Sequence, residues 1–395
     1  MGLSVSNLGW RAFGAVVKTA AGALCKYPGL DSEYHIQERL SGPWPNGPYL
    51  WLHGASLGEC RMLLQFCRAL KEDLPDCPPL LITSQKVEVV SFLRDSCEGL
   101  ADVAIAPADI PSAMNEFVRC VQPLGLVLAE NELWPGYLGT MSRLSTRRSV
   151  ALVSGRYRRS LPFLDFSGMA FACMQTPFDL GRFARVSKSK VPCVVGGDWK
   201  LLNWAREGGK IHEGENPDID AAFLSFHQEE SQALVDMAKK LVGEGMSAVL
   251  MPRRLSESGT FRKLLREQGL PVVDYPEVRK GCVSLVGRFG LSKEILARSR
   301  RAVVGGSFDR RLGIHDFWEP LLMGVSTYVG PFAKGHQDAV ALLCRERAIV
   351  RICSAEDFLN CASPSTERAR VFLAGEKKKV LDSYLRVLSF IKGLK

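Results

Sequence analysis

The sequence predicts an α/β protein made of two doubly wound domains, each a mainly parallel sheet covered by helices on both faces. Short apolar runs alternate with helix-like stretches from Tyr49 onward, a polar stretch from Glu207 to Ala221 interrupts them, and the alternation then resumes. The composition agrees: of 395 residues, 46% are hydrophobic and 24% charged. Such values exclude collagen-like, low-complexity and wholly disordered proteins.

Turn residues or helix-like segments bound each apolar run, as expected for buried parallel strands. The first half contains six predicted strands: Tyr49–His53, Pro79–Thr83, Val103–Ala106, Leu124–Ala129, Val150–Val153 and Met169–Met174. The second half contains six more: Ala248–Met251, Pro271–Val273, Cys282–Val286, Ala302–Val304, Ser326–Val329 and Ala348–Ile352. Ligands of such sheets bind outside the carboxyl ends of the strands, and we expect a cleft there between the two domains.

These patterns divide the chain into a first segment (1–30), an N-terminal domain (31–205), a linker (206–221) and a C-terminal domain (222–395). The first segment is apolar from Leu8 to Leu24, but Arg11 and Lys18 interrupt it. A spanning helix needs about 20 mainly apolar residues, so we expect no span. An amphipathic helix on a membrane surface and a helix packed on the protein are about equally compatible with this pattern.

Charge and cysteine usage narrow the partners and the compartment. The formal net charge is +9, and the stretch 143–159 contains no acid but six arginines: Arg143, Arg147, Arg148, Arg156, Arg158 and Arg159. Such a stretch suits an anionic partner such as nucleic acid, lipid phosphate or an acidic small molecule, although a solvated charged face is as compatible. The 12 cysteines are scattered, with no Cys-x-x-Cys pair, which favours reduced thiols in a cytoplasmic compartment.

Common cofactor signatures are missing or incomplete. No Gly-x-Gly-x-x-Gly follows a predicted strand, and Gly330–His336 has histidine where a phosphate-binding loop needs lysine. The Asp218-x-Asp220 triplet lies in the predicted linker, and the six histidines lack paired metal-ligand spacing. We therefore expect no metal and no cofactor.

The loop after the first predicted strand, His53–Glu59, carries two alternative roles. Ser56 and Glu59 have the Ser-x-x-Glu spacing of a helix capping box. At a strand end facing a cleft, Glu59 is also suited to act as a general base. The spacing alone favours the cap by about two to one over the base.

Polar residues follow several other predicted strands. In the first half, Glu130 and Glu132 follow one strand and Arg156 another; helix N-terminal charge is the structural alternative for the acids. In the second half, backbone N–H groups at Gly305, Gly306 and Ser307 are suited to bind an anion. The remaining second-half candidates are Ser225, His227, Arg253, His315 and Glu319.

Together these motifs resemble the transferases of 3-deoxy-D-manno-octulosonic acid (Kdo), over about residues 33–343. His53–Glu59 resembles the family's His-Ala-x-Ser-x-Gly-Glu, and Glu130–Gly136 resembles its Glu-Thr-Glu-Leu-Trp-Pro-Asn. Further resemblances lie at Ser154–Ser160, Gly197–Lys200, Ser225–Glu230, Pro252–Arg254, Gly305–Ser307 and Gly313–Pro320.

The resemblance implies a GT-B glycosyltransferase with two Rossmann-like domains facing a central cleft. It implies inverting transfer of Kdo from CMP-Kdo to a lipid A precursor without a metal, at the cytoplasmic face of the bacterial inner membrane, with peripheral membrane contact. By resemblance, Glu59 is the general base, and Ser56, Gly58, Glu130, Glu132 and Arg156 bind the acceptor. The implied donor-binding residues are Lys200, Ser225, His227, Arg253, Gly305, Gly306, Ser307, His315 and Glu319.

Departures from the family pattern cluster in the donor half. Phe226, Arg254, Ile314 and Asp316 replace the family's Thr, His, Gly and Asn. They leave open a related transferase with another donor or acceptor, or a catalytically silent ligand-binding relative, whereas the Glu59 loop favours chemistry. Nucleic-acid binding would rest on net charge alone, so we do not expect a nucleic-acid partner.

Overall fold

A computed structural model describes residues 35–144, 147–157, 164–212 and 216–394, together with Gly14, Val16 and Thr19. The chain forms two compact units: the first comprises Met1–Arg206 and Glu376–Lys395, and the second Glu207–Gly375. Apart from those three single residues, the predicted membrane-associated segment 1–30 lies outside the described residues, as do Arg158 and Arg159 of the basic stretch.

The first unit contains a seven-stranded sheet in the order β3-β2-β1-β4-β5-β6-β7, and all its strand pairs are parallel. Strand β1 is buried along its whole length, as expected for a continuous apolar run in a sheet covered on both faces. The strands are β1 (Tyr49–His53), β2 (Leu80–Ser84), β3 (Asp102–Ile105), β4 (Pro123–Ala129), β5 (Val150–Gly155), β6 (Met169–Met174) and β7 (Cys193–Val195). The short β7 was missed by the sequence prediction.

The longer described helices of the first unit are amphipathic and bury an apolar face. In α2, side chains at helical spacing, including Leu63, Phe66 and Leu70, are buried. The helices are α1 (Ile36–Ser41), α2 (Leu57–Asp73), α3 (Val87–Ser96), α4 (Pro111–Val121), α5 (Pro135–Leu144), α6 (Pro177–Val186) and α7 (Leu202–Arg206), with a short 3-10 helix at Trp199–Leu201.

The second unit repeats the architecture with a parallel sheet in the order β10-β11-β9-β8-β12-β13-β14. Its strands are β8 (Ile219–Phe226), β9 (Ala248–Pro252), β10 (Val272–Asp274), β11 (Val283–Leu285), β12 (Ser299–Val304), β13 (Ser326–Val329) and β14 (Ile349–Arg351). Its helices are α8 (Ser231–Gly243), α9 (Ser258–Glu267), α10 (Ser292–Ala297), α11 (Trp318–Leu322), α12 (Gln337–Arg345) and α13 (Ala355–Asn360), with 3-10 helices at Gln228–Glu230 and Leu255–Glu257.

The predicted linker 206–221 extends too far, because β8 already begins at Ile219 and is the central strand of the second sheet. Because Asp218 and Asp220 lie at the start of β8, the sequence there resembles a polar linker and not a buried strand. Asp220 is tolerated there because its carboxylate accepts a 2.8 Å hydrogen bond from the Ser247 amide and pairs with Lys280 at 2.5 Å. These partners come from distant parts of the chain, so sequence periodicity gives no sign of them.

The predicted C-terminal domain, 222–395, also needs correction at its end. The last helix, α14 (Thr366–Lys392), begins in the second unit, but its residues from Glu376 onward belong to the first. There, the Trp199 indole N–H donates to the Ser383 hydroxyl at 2.7 Å, and Ser383 donates to the Gly196 carbonyl. Burial of one side of this helix against a distant segment decides its place.

The strand order places a switch point between β1 and β4 in the first unit and between β8 and β12 in the second. At such points the loops leave in opposite directions and open a crevice at the carboxyl ends of the strands. Four of the loops singled out from the sequence follow these strands, whereas Arg156 and Arg253 follow the adjacent strands β5 and β9. Among the described residues, none of the helices has the length and apolar character needed to cross a membrane.

Candidate active site

Glu59 lies on the first turn of α2, directly after the loop that follows β1. Its carboxylate accepts hydrogen bonds from the Ala55 amide at 2.6 Å and the Ser56 amide at 3.2 Å. The Glu59 amide in turn donates to the Ser56 hydroxyl at 3.2 Å, which completes the capping box. The structural role predicted from the Ser-x-x-Glu spacing is therefore confirmed.

The surroundings of Glu59 also alter its acidity. The side chain is buried, and burial followed by the nearby charge of Glu132 raises its pKa, against the opposing effect of the amide hydrogen bonds. A carboxylate with a raised pKa holds a proton more strongly than an ordinary surface acid. Such a group is better suited to accept a proton from a hydroxyl near neutral pH.

Glu132 follows β4 and is the acidic neighbour that the sequence placed at this edge. Its carboxylate accepts a 2.7 Å hydrogen bond from the Trp134 indole and lies 3.4 Å from His53 Nε2. His53 is fully buried, and its Nδ1 lies 2.9 Å from the Thr83 hydroxyl. The contact between His53 and Glu132 thus brings together the end of β1 and the loop after β4.

Glu130, the second acid of the β4 loop, is almost fully buried and adopts a left-handed backbone conformation (φ 49°). Its carboxylate pairs with the Arg156 guanidinium, and the Arg156 amide donates to the Glu130 carbonyl at 3.2 Å. A buried carboxylate needs such a partner, since an uncompensated charge there is costly. Glu130 and Arg156, both predicted to bind the acceptor substrate, therefore form an ion pair with each other in this structure.

Lys200 lies in the first unit, on the 3-10 helix that follows β7. Its amide donates to Asp198 Oδ1 at 3.0 Å, and a methyl group added at Gly58 would lie 3.9 Å from Lys200 Cε. Although Lys200 was assigned to the donor, the structure places its side chain beside the β1 loop. A separation of 3.9 Å is an ordinary van der Waals contact, so the Lys200 side chain lies directly beside Gly58.

In the second unit, the loops after β8 and β12 bring His227 and His315 together. Their Nε2 atoms are 2.7 Å apart, and the rings stack with centroids 4.9 Å apart. One ring must donate and the other accept, so the contact requires at least one neutral histidine. Burial, followed by the charges of Arg253 and His227, lowers the pKa of His315 to about 3.

Arg253 and Ser225 occupy the ends of two neighbouring strands, β9 and β8. The Arg253 amide donates to the Phe226 carbonyl at 2.8 Å. The Arg253 guanidinium is exposed and makes no hydrogen bond or ion pair with the described residues. Ser225 adopts a left-handed conformation (φ 56°), and its carbonyl lies where a methyl group on Gly305 would be. The arginine is therefore available for an anionic ligand.

Glu319, the last of the predicted donor residues, lies on the first turn of α11. Its carboxylate accepts a 2.8 Å hydrogen bond from the Ser292 hydroxyl. Burial and the nearby charge of Asp316 raise its pKa. Asp316 itself accepts hydrogen bonds from the Trp318 and Glu319 amides, so this departure from the family pattern supports the start of a helix.

The amides after β12 do not face an open anion site, which corrects the sequence expectation. The Gly306, Ser307 and Phe308 amides donate to the carboxylate of Glu230, at 2.8, 3.0 and 3.0 Å. The Ser307 hydroxyl is also used internally, because it accepts from the Gly330 amide at 2.8 Å. Glu230 lies in the motif Ser225–Glu230, but the resemblance assigned it no role.

Known proteins of one family are similar in sequence to this chain. Residues 34–202 match the family model described as 3-deoxy-D-manno-octulosonic-acid transferase (kdotransferase). The 3-deoxy-D-manno-octulosonic acid transferase of Aquifex aeolicus is 25% identical over 356 residues, which cover 87% of this chain and 94% of that protein.

Solved structures support the fold. A glycosyltransferase from Rickettsia africae ESF-5 aligns with a TM-score of 0.52 at 10% identity, covering 88% of this chain and 97% of that one. Acinetobacter baumannii MurG aligns with a TM-score of 0.51 at 10% identity, covering 88% and 100%. The chain has the GT-B fold, and its sequence is similar to the Kdo transferase family.

Proposed function

We propose that this protein is an inverting glycosyltransferase that moves Kdo from CMP-Kdo to a lipid A precursor, with Glu59 as the general base. The observation that carries the proposal is the position of Glu59: a buried carboxylate with a raised pKa, at the carboxyl end of β1 beside the switch point of the sheet. The similarity to the Kdo transferase family supports the choice of sugar and acceptor.

In the proposed reaction, Glu59 removes the proton from an acceptor hydroxyl as the hydroxyl oxygen attacks the anomeric carbon of the donor. The bond from that carbon to the CMP phosphate breaks, and CMP leaves with the bonding electron pair. A single displacement of this kind inverts the anomeric centre. Both capping hydrogen bonds of Glu59 end on Oε2, so in this proposal Oε1 accepts the proton.

The cations have distinct roles in this proposal. Arg253 stabilises the phosphate charge that grows as CMP departs. Lys200, beside Gly58, neutralises an acidic group of the bound sugar, and Arg156 contributes to binding the phosphorylated acceptor. As in the family resemblance, the transfer uses no metal, and the protein works as a peripheral protein at the cytoplasmic face of the inner membrane.

The test measures CMP release from CMP-Kdo with a tetra-acylated lipid A precursor as acceptor. Glu59→Gln is the informative variant, because glutamine at this helix position still completes a capping box but is not a base. We expect its turnover to fall by about 10²–10⁴-fold while CMP binding persists. Ser354→Ala removes the side-chain cap of α13 and shows how much turnover is lost when a helix cap alone is removed, a larger local change than Glu59→Gln makes to its own cap.

Absence of CMP release by the wild type would reject the proposed reaction. Turnover by Glu59→Gln equal to that of Ser354→Ala would reject Glu59 as the base.

A second candidate keeps the fold and changes the donor or acceptor, or loses catalysis altogether. It is favoured by the donor-half substitutions, of which Phe226 is fully buried and packs on Phe308 with ring centroids 5.7 Å apart. Binding of CMP without transfer of Kdo to the lipid precursor would support this candidate.

A further inference from the structure

Glu230 occupies the position at which a doubly wound domain most often binds phosphate. It follows β8 and immediately precedes α8, next to the switch point between β8 and β12. In many such folds, loop amides and a helix N-terminus at this position hold the phosphates of a nucleotide. Here a carboxylate of the protein itself takes their place.

Four backbone N–H groups, which together form what we call the amide nest, surround this carboxylate. Oε1 accepts from the Ser307 and Phe308 amides, and Oε2 accepts from the Gly306 amide and, at 3.1 Å, from the His227 amide. Glu230 is almost fully buried, with 2% of its surface exposed. Hydrogen bonds to an ionised acceptor are about twice as strong as those between neutral groups. Glu230 therefore fills the amide nest as a fixed internal anion.

Close backbone packing prevents the nest from opening easily. A methyl group on Gly306 would lie 2.1 Å from the Gly313 carbonyl oxygen, and one on Gly305 would lie 2.5 Å from that of Ser225. The loop is thus packed tightly between the end of β8 and the backbone at Gly313. A ligand that displaced Glu230 would have to break four hydrogen bonds in a loop with no space to adjust.

The negative charges around the nest also disfavour an anionic ligand there. Glu229 precedes Glu230 and is exposed, so two carboxylates stand at the start of α8. The favourable field of the helix N-terminus is already used by Glu230. Arg253, at the end of the neighbouring strand, leaves one guanidinium available for a phosphate.

We propose that Glu230 determines donor specificity by filling the amide nest, so that the site accepts a nucleoside monophosphate and rejects a nucleoside diphosphate. This inference rests on the proposed function for the assignment of the second unit to the donor. A single phosphate is met by Arg253, whereas a second phosphate would face the carboxylate of Glu230 in place of the amides. Like charges brought together in this way weaken binding strongly.

The test is calorimetric titration of the full chain with CMP and with CDP. We expect the wild type to bind CMP at least about tenfold more tightly than CDP. Glu230→Gln removes the charge and should reduce this ratio at least about threefold by strengthening CDP relative to CMP. Glu229→Gln removes a neighbouring exposed charge outside the nest and should leave the ratio near its wild-type value.

The ratio separates specificity from general damage, because a purely structural role for Glu230 would weaken both nucleotides equally. Equal or tighter binding of CDP by the wild type overturns the inference, even if Glu230→Gln does not fold. An unchanged ratio in folded Glu230→Gln also overturns it. Binding of CMP over CDP without turnover of CMP-Kdo would reject the proposed function alone, whereas binding of neither nucleotide would reject this inference together with the cytidine donor.

Discussion

Gly306→Ala tests how tightly the loop after β12 is wedged. Gly306 has a φ of +72°, which side-chain-bearing residues rarely adopt, and the new methyl group would lie 2.1 Å from the Gly313 carbonyl oxygen. Real Cβ atoms do not approach backbone this closely, so the loop that carries His315 must move. The same methyl group would lie 3.1 Å from His315 Cδ2.

Two contributions set the magnitude. The left-handed conformation costs an alanine roughly 1–2 kcal/mol, and overpacking of a tight site costs about 1–3 kcal/mol. We therefore expect Gly306→Ala to lower the free energy of unfolding by about 2–5 kcal/mol. Gly281→Ala is the matched control, because Gly281 has nearly the same φ, +69°, but its nearest neighbour is 4.0 Å away.

Urea titration followed by circular dichroism measures both variants. Both glycines lie in the second unit, so both substitutions act on the same folding unit. The two variants share the strain and the change in unfolded-chain entropy, and their difference isolates the clash, about 1–3 kcal/mol. Equal destabilisation of the two variants would refute the inference that the loop has no space to adjust.

Three further predictions concern other buried groups. Burial raises the pKa of Asp109 to about 7. Because this lies above the unfolded value of about 4, stability falls as the pH rises from about 4 to about 7, by up to about 4 kcal/mol. Asp109→Asn should abolish this decline in urea titrations. A decline that persists in the variant would contradict this assignment. Ser383→Ala removes the acceptor of the buried Trp199 indole N–H and should lower the free energy of unfolding by about 1–3 kcal/mol. Ser389→Ala, on the exposed face of α14, should change it by no more than about 0.5 kcal/mol. Similar losses of stability in the two variants would argue against a contribution from the Trp199–Ser383 hydrogen bond. Because the pKa of His315 is lowered to about 3, its ring proton NMR shifts should stay constant from about pH 8 to about pH 5, and a midpoint near 6.5 would disprove the burial argument.

Much of the first sheet was predictable because its strands are continuous apolar runs. Tyr49–His53 and Met169–Met174 have the predicted bounds, and their neighbours differ by one or two residues. Strand β8 was not predictable in the same way. Its first residues include Asp220, whose charge is compensated by Ser247 and Lys280, far along the chain.

The candidate site shows the same division. Ser56 and Glu59 form the capping box that their spacing predicts, because a cap involves residues only three positions apart. The pairing of Glu130 with Arg156 joins two loops that follow adjacent strands, β4 and β5. Local spacing places each residue at a strand end but does not reveal which partner its charge finds.

The sequence by itself therefore determined the α/β class, the alternation of strands and helices, and the position of polar loops after strands. These features follow from local periodicity and turn chemistry, which act over a few residues. The tertiary structure alone decided that Glu230 fills the amides after β12, and that α14 ends in the first unit. Both outcomes depend on hydrogen bonds and burial between segments more than 70 residues apart, which no local pattern encodes.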